Sequence, residues 1–172
     1  TRFSGVTGVR RVLFRSDQVP VTAKMRIGWD ETSVNAVEVA KILEDCGMQA
    51  IAVHGRTRSQ GYGGEANWEV IDAVARAVKI PVIGNGDLTC GADVLRRRAE
   101  TAVSGVMIGR AAMQNPWVFR EAKHFLETGK LLPDVLVEER WELVIRHCKL
   151  AVESRRNGNE KQTLTAMRSR LM

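Results

Sequence analysis

The chain has little that would mark a membrane-spanning or disulfide-built protein. No apolar run approaches the roughly 18 residues that cross a bilayer, and the N-terminus has no continuous apolar stretch of the secretory kind. Cysteine is scarce: Cys46, Cys90 and Cys148 lie far apart with no CxxC pair. That argues against a disulfide scaffold or a zinc site and fits a reducing cytoplasm, with no bound metal expected. No GxGxxG opens the first strand–helix unit, which weighs against a dinucleotide-binding Rossmann fold.

What is present reads as globular. The 172 residues are 44% hydrophobic and 27% charged, enough for a domain with a real core. The net charge is +6, and its surplus sits at the two ends. Residues 21–87 carry seven basic and nine acidic side chains, whereas residues 138–172 carry eight basic and five acidic ones. A basic C-terminal segment suits either nucleic acid or a solvated helical face.

Two short apolar runs end in glycine beside a polar residue: Pro81-Val82-Ile83-Gly84-Asn85-Gly86-Asp87 and Gly105-Val106-Met107-Ile108-Gly109-Arg110. Such runs predict buried strands of a parallel sheet, and glycine at the tip lets backbone approach a ligand. Upstream, Val19 to Arg26 and Ala50 to Val53 predict two more strands. The first carries Lys24 near its end; the second runs into His54-Gly55-Arg56-Thr57-Arg58. Lys24 either reaches solvent or serves a site, and His54 is either a core-edge histidine or part of an anion-binding group. Amphipathic helices are predicted between the strands, around Val34–Leu43, Trp68–Val78 and the stretch ending in Arg96-Arg97-Arg98. Asp30 is predicted to cap the first of these and Gly47 to close it. Residues 59–67, with Gly61, Gly63 and Gly64 around Tyr62, read as a mobile loop over the site. Cys46 reads as a small buried apolar residue.

Lys24, His54, Asn85 and Gly109 thus end four repeated βα units, whose alternation implies a parallel sheet with right-handed crossovers. Four units are half of a (β/α)8 barrel, in which the last two strands often build the phosphate site. The alternative is an open doubly wound sheet. After Arg110 the alternation stops. Helices are predicted from Asn115-Pro116 to Gly129, through Trp141–Val152, and from Asn159 onward, with Trp117 and Trp141 assigned to a core. Residues 1–18 match neither pattern and are excluded from the fold reading.

Four motifs in order then carry a resemblance. Val21-Thr22-Ala23-Lys24-Met25-Arg26-Ile27-Gly28-Trp29, His54-Gly55-Arg56-Thr57-Arg58, Ile83-Gly84-Asn85-Gly86-Asp87 and Met107-Ile108-Gly109-Arg110-Ala111-Ala112, with Ala166-Met167-Arg168 in the tail, resemble the tRNA-dihydrouridine synthases, most nearly their bacterial B-type branch. The resemblance implies a cytoplasmic flavoprotein that uses NADPH and FMN to reduce uridine in tRNA to 5,6-dihydrouridine. By motif it implies the C-terminal half of a TIM barrel (residues 19–115), followed by the start of a helical tRNA-binding domain (residues 116–172). It assigns Lys24 to the flavin ring. Asn85, Gly86 and Asp87 fall to the phosphate-and-ribityl loop, Gly109 and Arg110 to the phosphate, and His54 and Arg56 to the neighbourhood of flavin and uracil, with Arg56 towards the substrate. The family's Asn-x-x-Cys-Pro motif, whose cysteine donates a proton, does not occur in this sequence, so none of the three cysteines is assigned that role and the chain is expected to be inactive alone. Half a barrel also leaves strand edges unpaired, which predicts marginal stability and a tendency to associate. Read from the residues alone, two other functions stay open: a phosphate-binding barrel isomerase or lyase, and a non-catalytic RNA-binding module.

Overall fold

A computed structural model describes residues 19–154. Four parallel strands, β1 (Thr22–Arg26), β2 (Ala50–His54), β3 (Val82–Asn85) and β4 (Gly105–Met107), pair in the order β1-β2-β3-β4. Helices α1 (Ala36–Asp45), α2 (Trp68–Ala77) and α3 (Gly91–Glu100) connect them. Sequential order without a reversal is the arc of a (β/α) barrel wall; a doubly wound sheet would contain a switch point. Among the described residues β1 pairs only with β2, and β4 only with β3.

The register sorts the strand residues into two faces. Met25, Val53, Gly84 and Val106 lie side by side across the sheet, and one residue further along stand Arg26, His54, Asn85 and Met107. Because side chains alternate along a strand, these rows point to opposite faces. The first face is the core. Ile51, Val53 and Val82 pack with Trp68, Ile71 and Val74 of α2 and with Ala36 and Ala40 of α1. The helix contributions follow the 3.6-residue period that the sequence shows. Gly84 is needed here: a Cβ would lie 2.5 Å from the Trp68 ring. The indole Nε1–H donates to Gly86 O at 3.1 Å, fastening the end of β3 to α2.

Local chemistry sets the element ends. Asp30 caps a 3-10 turn, Glu31–Ser33, reciprocally with Ser33, rather than α1 itself. That turn takes the first acceptor available, and α1 starts only at Ala36. Gly47, with φ of 89°, closes α1 as predicted. Cys46 is half-buried at that helix end rather than fully buried. The Asn67 side chain accepts from Val70 N to start α2.

Beyond β4 come a short helix α4 (Arg110–Gln114) and α5 (Val118–Thr128), which Gly129 terminates in a left-handed conformation. α5 packs on α3, with Ala122 and Phe125 against Gly91, so it joins the compact unit of the sheet, which runs to Leu131. A second unit begins at Leu132 and contains α6 (Val137–Ser154). Trp141, predicted as core, is 62% exposed on α6. The predicted helix from Asn159 and the Ala166-Met167-Arg168 motif lie outside the described residues, as do residues 1–18.

Candidate functional site

The uncovered face of the sheet and the loops beyond its C-terminal edge enclose a cavity of about 610 Å³. Lys24 and Arg26 reach it from β1, His54 from β2, Asn85, Gly86 and Asp87 from the end of β3, and Gly109 and Arg110 from the end of β4. Every cofactor position expected from sequence thus faces one hollow. The charged side chains lining it are three cations (Lys24, Arg26, Arg110) and one carboxylate, Asp87. The hollow therefore favours an anion. Its size suits a small organic ligand.

Asp87 is the hub. Its φ of 51° places it in the left-handed region, which aspartate tolerates better than most residues. There its carboxylate meets three donors. Arg56 approaches with Nη1 at 2.8 Å from Oδ1 and Nη2 at 2.9 Å from Oδ2. The Ala66 N–H donates to Oδ2 at 2.8 Å, and Arg110 Nη2 donates to Oδ1 at 3.0 Å. Burial alone would raise the Asp87 pKa, but the bonds from Arg56 and Ala66 and the nearby Arg110 outweigh it and hold it below the usual carboxylate value.

Arg56 is 2% exposed and is not among the residues lining the cavity. Its remaining bonds run from Nε to Gly63 O at 3.0 Å and from Nη2 to Gly64 O at 2.5 Å. These bonds brace the 59–67 loop against the end of β3. Arg26 does the same from the other side, giving Nη1 to Thr57 O at 2.6 Å and to Gly61 O at 2.9 Å. The loop read as mobile is therefore tied at both flanks, because its glycines turn their carbonyls towards two guanidinium groups. Between the ties Tyr62 projects over the cavity. Arg110 and Arg26 stand 5.1 and 5.9 Å from its ring centroid, and His54 lies 6.5 Å from it.

His54 is 7% exposed. Burial, together with the positive charge of Arg26, Lys24 and Arg56, pushes its pKa down to about 4, against a weaker pull from Asp87. The imidazole is therefore neutral at neutral pH and offers one donor and one acceptor. Asn85 donates from Nδ2 to Met107 O at 2.7 Å, which locks β4 beside β3 and fixes the orientation of its amide.

Sequence reasoning passed over Arg26 and the lining residues Thr89, Met107, Met113 and Gln114. Arg26 was findable: it stands two residues after Lys24, hence on the same face of the strand. The methionine and glutamine of α4 carry no signal of that kind. No cysteine lines the cavity. Among the described residues no group of three or more His, Cys, Asp or Glu is placed to hold a metal, and no helix is long and apolar enough to cross a membrane.

Comparison with known proteins adds an independent line. Residues 6–171 match the family model described as dihydrouridine synthase (Dus). The chain is 47% identical over 134 residues to tRNA-dihydrouridine synthase B of Escherichia coli (strain K12), covering 76% of this chain and 41% of that protein. It is 44% identical over 142 residues to tRNA-dihydrouridine synthase B of Pseudomonas putida, covering 83% and 42%. To a probable tRNA-dihydrouridine synthase of Rickettsia bellii it is 44% identical over 136 residues, covering 79% and 42%. The chain thus spans less than half the length of the curated relatives it matches.

Proposed function

Because the chain belongs to the dihydrouridine synthase family, we propose that its cavity binds FMN and forms part of an enzyme that reduces uridine in tRNA to 5,6-dihydrouridine with NADPH. The observation that carries this reading is the convergence of Lys24, Asn85 and Arg110 from three strand ends on one cation-rich hollow. The donor set fits the cofactor at both its ends. Arg110, half exposed, is available to a phosphate, and Gly109 beside it leaves open space where a Cβ would stand. Lys24 is a cation on the sheet face, suited to an electron-rich ring. Neutral His54 and the fixed amide of Asn85 would help to hold the cofactor by hydrogen bonding. FMN, when bound, supplies hydride chemistry.

The chain's own residues orient and bind. The Arg56–Asp87 brace holds the glycine-rich loop at the cavity, and Lys24 and Arg110 supply positive charge. With no cysteine in the lining, protonation of the uracil has no donor of that type here, and this chain alone is expected to form no dihydrouridine. A nucleotide in tRNA must leave its stack to reach such a hollow.

The test is a titration of the purified 172-residue chain with FMN, followed by flavin fluorescence. FMN is expected to bind more tightly than riboflavin, and both Lys24→Ala and Arg110→Ala are expected to weaken it. Binding that ignores both substitutions, or no binding at all, would sink the reading.

A further inference from the structure

Two arginines meet Asp87, and they are not equivalent. Arg56 is buried, with two bonds to the carboxylate and its other contacts on loop carbonyls. The Arg110 side chain is 50% exposed and gives the carboxylate one bond. If Arg110 leaves, Asp87 still keeps three bonds, two from Arg56 and one from the Ala66 N–H. Departure therefore costs little, as for other exposed ion pairs.

Arg110 also lies over the Tyr62 ring, the nearer of the two cations there. The backbone around Tyr62 is held by other groups, by Arg26 at Gly61 O and by Arg56 at Gly63 O. Arg110 therefore touches only the ring of this residue, which is 66% exposed at the cavity rim, with Arg26 the more distant cation beside it. A phosphate monoester near charge −2 competes for a guanidinium better than a carboxylate already shared among three donors.

We propose that Arg110 is the moving part of the site: a phosphate monoester in the cavity draws its guanidinium off Asp87 and Tyr62, and the freed tyrosine ring admits a second ligand only after the phosphate is in place. This rests on the reading of the cavity as a phosphate site, and it adds an order of loading.

Tyr62 is the chain's single tyrosine, so 3-fluorotyrosine labelling gives one fluorine resonance that reports this ring alone. Inorganic phosphate is titrated at constant ionic strength, with the phosphorus line width of the phosphate reading its binding. Phosphate is expected to shift and narrow the fluorine line. Arg110→Ala is expected to start near the loaded position and to stay there, with Arg110→Gln as the second variant should the first not fold. FMN is expected to move the line further than riboflavin, which shares the ring but lacks the phosphate. Bound phosphate with an unmoved fluorine line overturns the coupling alone. So does an unchanged response in the Arg110 variants, or riboflavin matching FMN. Absence of both phosphate and FMN binding overturns the coupling and the cavity reading together.

Discussion

On one face of the sheet Ile51, Val53, Val82 and Gly84 lie beneath α1 and α2, and on the other, one position along the same strands, stand Lys24, Arg26, His54 and Asn85. The first set is apolar or absent in side chain, and each member is buried. The second is polar, and its burial ranges from exposed Lys24 to His54 at 7%. A strand four or five residues long cannot serve core and ligand from the same positions, so alternation divides the labour. The comparison makes a sharp claim: changes on the helix-covered face should cost stability, and changes on the open face should cost binding.

The largest effect should come from Trp68→Ala. It empties the space beneath Gly84, removes the bond to Gly86 O, and takes away the ring over which Arg97 sits at 5.2 Å. A loss of about 3–5 kcal/mol in denaturant-induced unfolding is expected. A variant as stable as the parent would mean that this face is not the core.

Next is Arg56→Met, which keeps the bulk and removes the donors. It strands the Gly63 and Gly64 carbonyls and leaves Asp87 with Ala66 and Arg110. Breaking a fully buried pair costs about 3–5 kcal/mol. The Asp87 side chain is 32% exposed, so about 2 kcal/mol is expected, together with faster proteolytic cleavage between residues 58 and 64. This variant sharpens the comparison, because Arg56 sits in a site motif yet behaves like core.

Lys24→Ala should do the reverse. Its side chain is exposed, so stability should change by less than about 0.5 kcal/mol. FMN affinity should fall about tenfold, equivalent to about 1.4 kcal/mol. Equal losses in both measurements would erase the distinction between the faces.

The fold was legible wherever a pattern repeats. Strand, helix and glycine recur at a fixed span, and α1, α2, α3 and α5 appear within a few residues of their predicted places, whereas α4 was not foreseen. The convergence of Lys24, Asn85 and Arg110 was legible too, because parallel strands place all their C-terminal ends on one edge. What was not legible depends on partners distant in sequence. Nothing near Arg56 says that its guanidinium is buried against Asp87, 31 residues on. Asp30 faced a choice between a 3-10 turn and a helix, and a capping preference does not decide which turn follows. Trp141 has the spacing of a core residue, but spacing names a face without saying what covers it.

The smallest expected effect tests His54, the residue of the open face that is most deeply buried. Its folded pKa of about 4 lies below the usual histidine value of 6.5. As pH falls through 6.5 the unfolded chain takes up a proton that the folded site refuses, so stability declines. The decline stops below about pH 4, where the folded histidine titrates as well. Between pH 7 and 5.5 the loss should be about 1 kcal/mol from this residue. Asp87, whose folded pKa is lowered, contributes stability that is lost only at more acid pH, so it stays outside this window. Denaturant midpoints at the two pH values, for the parent and for His54→Gln, isolate the effect. The parent should weaken, and the glutamine variant, which cannot titrate, should lack that part of the slope. If both lose stability alike, the folded site does not depress the His54 pKa, and neither its burial nor the neighbouring cations disfavour the imidazolium as described.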